Sequence, residues 1–428
     1  MAENKTNFGV IGISGRGSGM LREFLSVPGV DVTAVCDKYE DRARRGSEIV
    51  KEVTGKDIEW YTDYHELLAR DDIKGVLICT TWITHARIAI DAMRAGKHAA
   101  FEVGGAASIE ECWQMVRTSE ETGKICMMIE NCCYDRNELA VFNMIKKGLF
   151  GELIHLEGGY RHDLREEIND GVEKRHGRLA NFTCRNGELY PTHQLGPIAK
   201  CLGINRGNRF LTLTSMASKS RGLHDWLVKN RTPDYHSYNR VFNQGDVVTT
   251  LIKCANGETI TLTHDCSLVR PYSRNYVVQG TDAIYNEAHA PYDNVIALDG
   301  EEHGWKPFTP YLEKYEHPLW RKYITDGVHA GHGGMDYLVL CAYAEAAIND
   351  LTPPIDVYDT AAWMAVTCLS EQSVALGSMP VAFPDFTNGA WIDREPFRRG
   401  MYCLEDVCEE CFPTAENTAG DSNKSKED

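Results

Sequence analysis

The residues with the clearest chemical spacing lie near the N-terminus. Gly12, Ser14 and Gly17 occupy the three small positions of a tight turn, Gly12-Ile13-Ser14-Gly15-Arg16-Gly17. Glycine at the first position permits the turn. A small second residue lets the backbone approach a pyrophosphate, and the third lets helix and strand pack closely. The phosphates then face the N-terminus of the following helix. Asp37 stands twenty residues past Gly17, at the end of the next apolar run. A carboxylate there can take both ribose hydroxyls and repels a 2′-phosphate, so the pattern predicts NAD rather than NADP. Gly15 and Arg16 belong to the same turn and are assigned to the cofactor with it. Trp82, His85, Glu102, Val103 and Asn131 follow the ends of later apolar runs, where an open α/β sheet places its ligands.

The elements needed to position these residues are legible from the periodicity. Short apolar strands at 7–12, 31–36, 75–80, 97–103 and 124–130 alternate with helical stretches near 19–27, 39–54, 84–95 and 108–122. Ser108 and Glu111 make a capping box for the last of these. Such alternation predicts a parallel sheet covered on both faces, a doubly wound Rossmann domain over residues 1–131. The pattern then changes. Alternating runs at 151–160, 210–215, 246–254, 258–266 and 275–279 predict a second α+β domain over 132–412, with an open, mostly antiparallel sheet. Asn256-Gly257 is a hairpin signal between two of these strands. Helices are expected at 334–349 and 358–376. Residues 413–428 are polar and aperiodic and read as a disordered tail.

A net charge of −17 over 428 residues provides no basic face, which argues against a nucleic-acid partner. No apolar run approaches the length of a membrane span, and no signal peptide is visible, so a cytoplasmic protein without membrane attachment is expected. Most of the 15 cysteines sit within apolar elements and read as reduced core thiols. Cys403, Cys408 and Cys411 have zinc-like spacing, but no fourth ligand is evident and no metal is assigned.

The layout resembles the Gfo/Idh/MocA oxidoreductase superfamily. Within it, ordered segments are similar to glycoside hydrolase family 109, the NAD-dependent α-N-acetylgalactosaminidases. Beyond the glycine turn and Asp37 these are Trp82-Ile83-Thr84-His85, Glu102-Val103, Glu130-Asn131, Gly159-Tyr160-Arg161-His162-Asp163, residues 186–193, Asn205-Arg206-Gly207, Pro271-Tyr272-Ser273-Arg274 and residues 331–337. The most specific are Tyr190-Pro191-Thr192-His193 and Gly331-His332-Gly333-Gly334-Met335-Asp336-Tyr337. Ordinary dehydrogenases of the superfamily carry Glu-Lys-Pro after the fourth strand, and their lysine helps move the alcohol proton. This chain reads Glu102-Val103-Gly104, and valine has no proton to exchange. Gly104 departs from the family's proline, and Gln194 from its usual glycine.

The resemblance implies hydrolysis through transient oxidation: hydride leaves C3 of the sugar, a base removes the C2 proton, the C1–O bond breaks, water adds, and the hydride returns. Such a site needs a group for the C3 hydroxyl proton, a base at C2 and an acid for the leaving group. His193 is assigned to the C3 proton, because its ordinary pKa suits reversible transfer near neutrality. Tyr190 is placed beside it, touching both nicotinamide and sugar. Tyr160 and Tyr272 are alternative C2 bases or sugar contacts, and His162 and Glu130 are further acid/base candidates. Arg178 is implied as a substrate-binding arginine. His332 and Asp336 either orient the site or cap a helix. The competing reading is a sugar or inositol dehydrogenase with net NADH production. A glycan or glycoside is the expected partner, with a homo-oligomer formed through the open face of the second sheet.

Overall fold

The computed structural model describes residues 5–287, 293–327, 331–394 and 400–404. The proposed tail at 413–428, together with Cys408 and Cys411, lies outside these residues.

The first sheet holds β1 (Thr6–Ile11), β2 (Val30–Cys36), β3 (Glu59–Tyr61), β4 (Gly75–Ile78), β5 (His98–Phe101) and β6 (Cys126–Met128) in the order β3-β2-β1-β4-β5-β6. Every pairing is parallel. β4, β5 and β6 are buried at every position, which is why they read as continuous apolar runs rather than alternating ones. The capping box forms as the sequence suggests at the start of the helix Ile109–Thr122. Ser108 Oγ accepts from the Glu111 amide, and the Glu111 carboxylate reaches back to the amide of Ala107.

Among the described residues the second sheet has nine strands: β7 (Leu153–Arg161), β8 (Phe210–Ala217), β9 (Val247–Cys254), β10 (Thr259–Asp265), β11 (Val277–Gly280), β12 (Ala283–Asn286), β13 (Val295–Leu298), β14 (Lys306–Pro307) and β15 (Val381–Ala382). Their order is β14-β13-β12-β11-β7-β10-β9-β8-β15. The β7–β10 pair is parallel and the other pairs are antiparallel. Gly257 closes the β9–β10 hairpin at φ +110°. β9 alternates strictly, with Val248, Thr250, Ile252 and Cys254 buried and Thr249, Leu251 and Lys253 exposed. One face therefore packs inward, while the other leaves Ile154, Met216 and Leu251 open.

The inner face meets the helices Thr192–Cys201 and Val357–Ala375. The latter also packs on the helix Ile109–Thr122 and on β6, so it joins the two sheets. Thr360 on that helix accepts from the Met128 amide at 3.1 Å, and Tyr343 donates to carbonyls at the edges of β4 and β5. The first link ties the end of β6 to a helix that also packs on the second sheet, and the second ties the helix Met335–Asn349 to the N-terminal ends of β4 and β5. Among the described residues, no helix is long and apolar enough to cross a membrane.

Candidate active site

The turn after β1 has the shape a pyrophosphate requires. Gly12 sits at φ +98°, and a Cβ there would lie 2.6 Å from the Cys79 carbonyl at the end of β4. A Cβ on Gly17 would lie 2.0 Å from the Gly12 carbonyl oxygen. Both positions thus exclude any larger residue. Ser14 is the N-cap of the helix Gly15–Phe24, accepting from the Gly17 amide at 3.3 Å, and the space beside Gly15 is open. Ser14 therefore caps this helix end with its hydroxyl, a side-chain hydrogen bond that glycine does not offer. Asp37 is buried, and its carboxylate accepts from the amides of Ile13 and Tyr39 at 2.8 and 2.9 Å. The turn and the acidic residue are held in one unit, and the cradle fits a dinucleotide.

Arg16 leaves this turn toward the second domain. It donates to Glu102 at 2.8 Å and makes a bidentate pair with Asp336 at 2.6 and 2.9 Å. Asp336 also accepts from Asn131 Nδ2 at 2.7 Å and lies 2.7 Å from His332 Nδ1. Burial opposes ionisation of Asp336, but His332 and Arg16 hold its carboxyl well below the ordinary range. The N-cap of the helix Met335–Asn349 is Gly334, so Asp336 orients Arg16 and Asn131 rather than capping its own helix. Among the two readings open from sequence, the geometry favours orientation.

Val103 is buried where the dehydrogenases carry lysine. Gly104 has φ +155°, and a Cβ there would meet the Trp82 indole at 2.5 Å. Trp82 thus occupies the space vacated by the missing side chain. Its ring lies 5.3 Å from that of Tyr190, and the Arg178 guanidinium sits 5.2 Å from both centroids. His85, in contrast, is fully buried against Phe101, with Nε2 3.0 Å from the Thr80 carbonyl, and burial lowers its pKa to about 4. It is a neutral histidine behind the strand end.

The acid/base candidates converge from three elements. Tyr160 and His162 lie two residues apart at the end of β7, so their side chains share a face. Tyr190 and His193 flank the start of the helix Thr192–Cys201, and Glu130 ends the β6 segment. A Cβ on Gly196 would come within 2.9 Å of Glu130 Cγ, so glycine lets this helix lie directly on the carboxylate. Gln194 is buried from the same helix against β7, where Gly158 leaves room for it. Tyr160 is 4.5 Å from Tyr190 and 5.5 Å from His193 between ring centroids, and Tyr190 is 5.0 Å from His193. Tyr272, 48% exposed, closes the group from the loop after β10, 5.1 Å from the His162 ring.

His193 Nδ1 lies 2.7 Å from Glu130 Oε1. Burial disfavours the Glu130 anion, yet the His193 interaction outweighs it and holds the carboxyl below its ordinary value. An ionised carboxylate only accepts, so Nδ1 is the donor, and in the neutral ring Nε2 is the nitrogen that carries the lone pair. Tyr160 Oη lies 3.2 Å from His162 Nδ1. Burial raises the Tyr160 phenol to about 12, while burial and the nearby Arg178 lower the His162 pKa. Both are therefore neutral near pH 7. Sequence reasoning did not find Glu167, whose carboxylate forms an ion pair with Arg178, Nε to Oε1 3.1 Å. It sits in a charged surface-like stretch with no distinguishing signal.

A glycine-turn Rossmann sheet, joined at its C-terminal edge to a mixed sheet bearing a tyrosine–histidine cluster, defines an NAD-binding enzyme of the two-domain oxidoreductase class. The profile described as oxidoreductase family, NAD-binding Rossmann fold, matches residues 6–130, and NAD is the cofactor. The profile described as glycosyl hydrolase 109, C-terminal domain, matches residues 134–393, and the chain belongs to glycosyl hydrolase family 109. It is an NAD-dependent enzyme of glycoside hydrolase type. An α-N-acetylgalactosaminidase of Tannerella forsythia is 39% identical over 420 residues, covering 92% of this chain and 89% of that protein. Another, of Shewanella oneidensis, is 41% identical over 406 residues, covering 91% and 86%. Among solved structures, a levoglucosan dehydrogenase complexed with NADH and levoglucosan superposes with a TM-score of 0.67 at 18% identity, covering 89% of this chain and all of that one. An NAD-binding oxidoreductase from Klebsiella pneumoniae gives 0.68 at 16%, with the same coverage. At such identities the structural likeness establishes the fold.

Proposed function

We propose that this enzyme hydrolyses α-N-acetylgalactosaminides by transient oxidation at C3, elimination and water addition, with no net redox change. The observation that carries the reading is the Glu130–His193 pair, which leaves Nε2 free to accept the C3 hydroxyl proton in a site where Val103 replaces the dehydrogenase lysine. The names of the relatives in T. forsythia and S. oneidensis support the substrate class. When bound, NAD supplies a hydride acceptor at C3 and returns the hydride at the end of the cycle. The chain's own residues then have to manage three protons. His193 takes the C3 hydroxyl proton and gives it back, steadied by Glu130. Tyr160 is the candidate for exchanging the C2 proton or for contacting the sugar, with His162 a further acid/base group 3.2 Å from its hydroxyl. Tyr272, at the solvent side, serves the leaving group or contacts the sugar. Arg178, clamped by Glu167 and stacked near Trp82 and Tyr190, binds the substrate.

The Rossmann residues Gly12, Ser14, Gly15, Arg16, Gly17 and Asp37 cradle the dinucleotide. Trp82, Glu102, Val103, Asn131 and Tyr190 border its reactive end, while His85 supports the strand behind it. The open face of the second sheet, with Ile154, Met216 and Leu251 exposed, supports a homo-oligomer assembled through it.

Turnover of a chromogenic α-N-acetylgalactosaminide in D2O with catalytic NAD+ tests this mechanism. Release of the chromophore with deuterium at C2 and no accumulated NADH is expected. NADH accumulating on free sugars, with no release from α- or β-glycosides, would make the chain a dehydrogenase instead.

A further inference from the structure

Glu130 and His193 have a neighbour that proton transfer does not use. Cys132 lies two residues after Glu130 in the turn Asn131–Tyr134. Its Sγ, a Glu130 carboxylate oxygen and a His193 ring nitrogen all lie within 4.8 Å of one another. Glu130 and Cys132 are 0% and 1% exposed. Among the described residues, Glu130 Oε2 has no hydrogen-bond partner, and the Cys132 thiol has only a long contact, 3.6 Å to Asn131 Oδ1. One thiol, one imidazole and one carboxylate are a typical zinc donor set. Tetrahedral coordination with its usual bond lengths places such atoms about 3.3 to 3.6 Å apart, at most about 1 Å closer than the 4.8 Å within which all three lie here. Small side-chain rotations span that difference. Three protein ligands leave a fourth position for water.

We propose that Glu130, Cys132 and His193 bind a thiophilic divalent cation such as Zn2+, and that its binding switches the enzyme off. The chemistry balances without a further reactant. The cation binds, the Cys132 thiol loses its proton to solvent, and Glu130 exchanges its hydrogen bond for a metal bond. His193 ligates through Nδ1, the nitrogen now facing Glu130, so its proton moves to Nε2. That is the atom that has to be unprotonated to accept the C3 hydroxyl proton, so the metal-bound imidazole is no longer a base. Because a buried thiol has to ionise, affinity rises with pH. The inhibition rests on the role proposed above for His193; the binding does not.

The test uses the NAD-loaded enzyme. Cd2+ uptake is followed by thiolate-to-cadmium absorption and by equilibrium dialysis, and Zn2+ inhibition is followed by turnover. Wild type is expected to bind one more cation per chain than Cys132→Ser, with a corresponding difference band, and His193→Ala should lose the same uptake. Cys132→Ser should keep its turnover and need at least tenfold more Zn2+ for inhibition, and a chelator should restore wild-type activity. Should the serine variant fold poorly, Cys132→Ala makes the same comparison. Equal uptake and equal band in wild type and the Cys132 variants would overturn the site. Uptake that depends on Cys132 but leaves turnover intact would keep the site and overturn the switch, and with it the base role of His193.

Discussion

Replacing Glu130 by Gln tests the central pair most directly. The carboxylate is fully buried and lies 2.7 Å from His193 Nδ1, a charge-assisted bond of the kind that contributes about 1.5 to 3 kcal/mol. Gln retains the shape but can present an amide N–H to Nδ1. The ring then carries its proton on Nε2 and cannot accept one from the sugar. In serine proteases the equivalent loss of tautomer control reduces kcat by about 10⁴, and a loss of about 10² to 10⁴ is expected here. Folding stability should fall by no more than about 1.5 to 3 kcal/mol, the scale of that bond, because Gln leaves no large cavity. The assay is kcat on a chromogenic α-N-acetylgalactosaminide, with bound NAD quantified after gel filtration and thermal unfolding measured in parallel. His193→Ala provides the limit, abolishing turnover with NAD still bound. A Glu130→Gln enzyme within tenfold of wild type, correctly folded and NAD-loaded, would refute the assignment of His193 as a base steered by Glu130.

Asp37→Asn should weaken NAD binding and relax discrimination against NADP. Asp37→Ala should add a stability loss of about 1 to 3 kcal/mol, because it strips the amides of Ile13 and Tyr39 of their acceptor; both effects are read by cofactor titration and denaturant unfolding. Asp336→Asn should free Arg16 and Asn131, so the enzyme sheds NAD at least about tenfold faster, as one charged hydrogen bond would predict; unchanged cofactor retention would leave that network a purely structural one. Burial lowers His85 and His317 to about 4 and His264 to about 3, so the fold keeps them neutral while the unfolded chain protonates below its ordinary 6.5. The contribution of these histidines should therefore be full above pH 6.5 and fall progressively from pH 6.5 toward 3, as thermal unfolding across that range will show. Glu188 acts in the opposite direction. Burial raises it to about 8, so its contribution is complete below 4.5 and is lost as the pH rises toward 8; Glu188→Gln should stabilise the enzyme by a few kcal/mol at pH 7.5, about the scale of that shift, and by almost nothing at pH 4.5.

The sequence alone determined the dinucleotide half of this protein because its signals are local. A tight turn demands glycine at 12 and 17 whatever surrounds it, Asp37 follows at the end of the adjoining strand, and buried parallel strands write continuous apolar runs. The hairpin at Asn256-Gly257 and the capping box at Ser108 are equally local, and both formed. The short strands β12 to β14 and the helix Thr192–Cys201 carry no such signature, and they depend on the sheet and the helices around them. The site itself is non-local. Glu130 and His193 are 63 residues apart, and Arg16 and Asp336 are 320 apart. Their meeting depends on helices that pack against both sheets and on small residues, such as Gly196, that let a helix lie on a carboxylate. No spacing rule reports that distance. Family resemblance named the residues, but only the tertiary structure decided that Glu130 faces Nδ1, that Asp336 orients Arg16 instead of capping a helix, and that His85 lies buried behind the strand end. Hydrogen-bond partners across a fold are set by packing, which one chain's order of residues encodes only collectively.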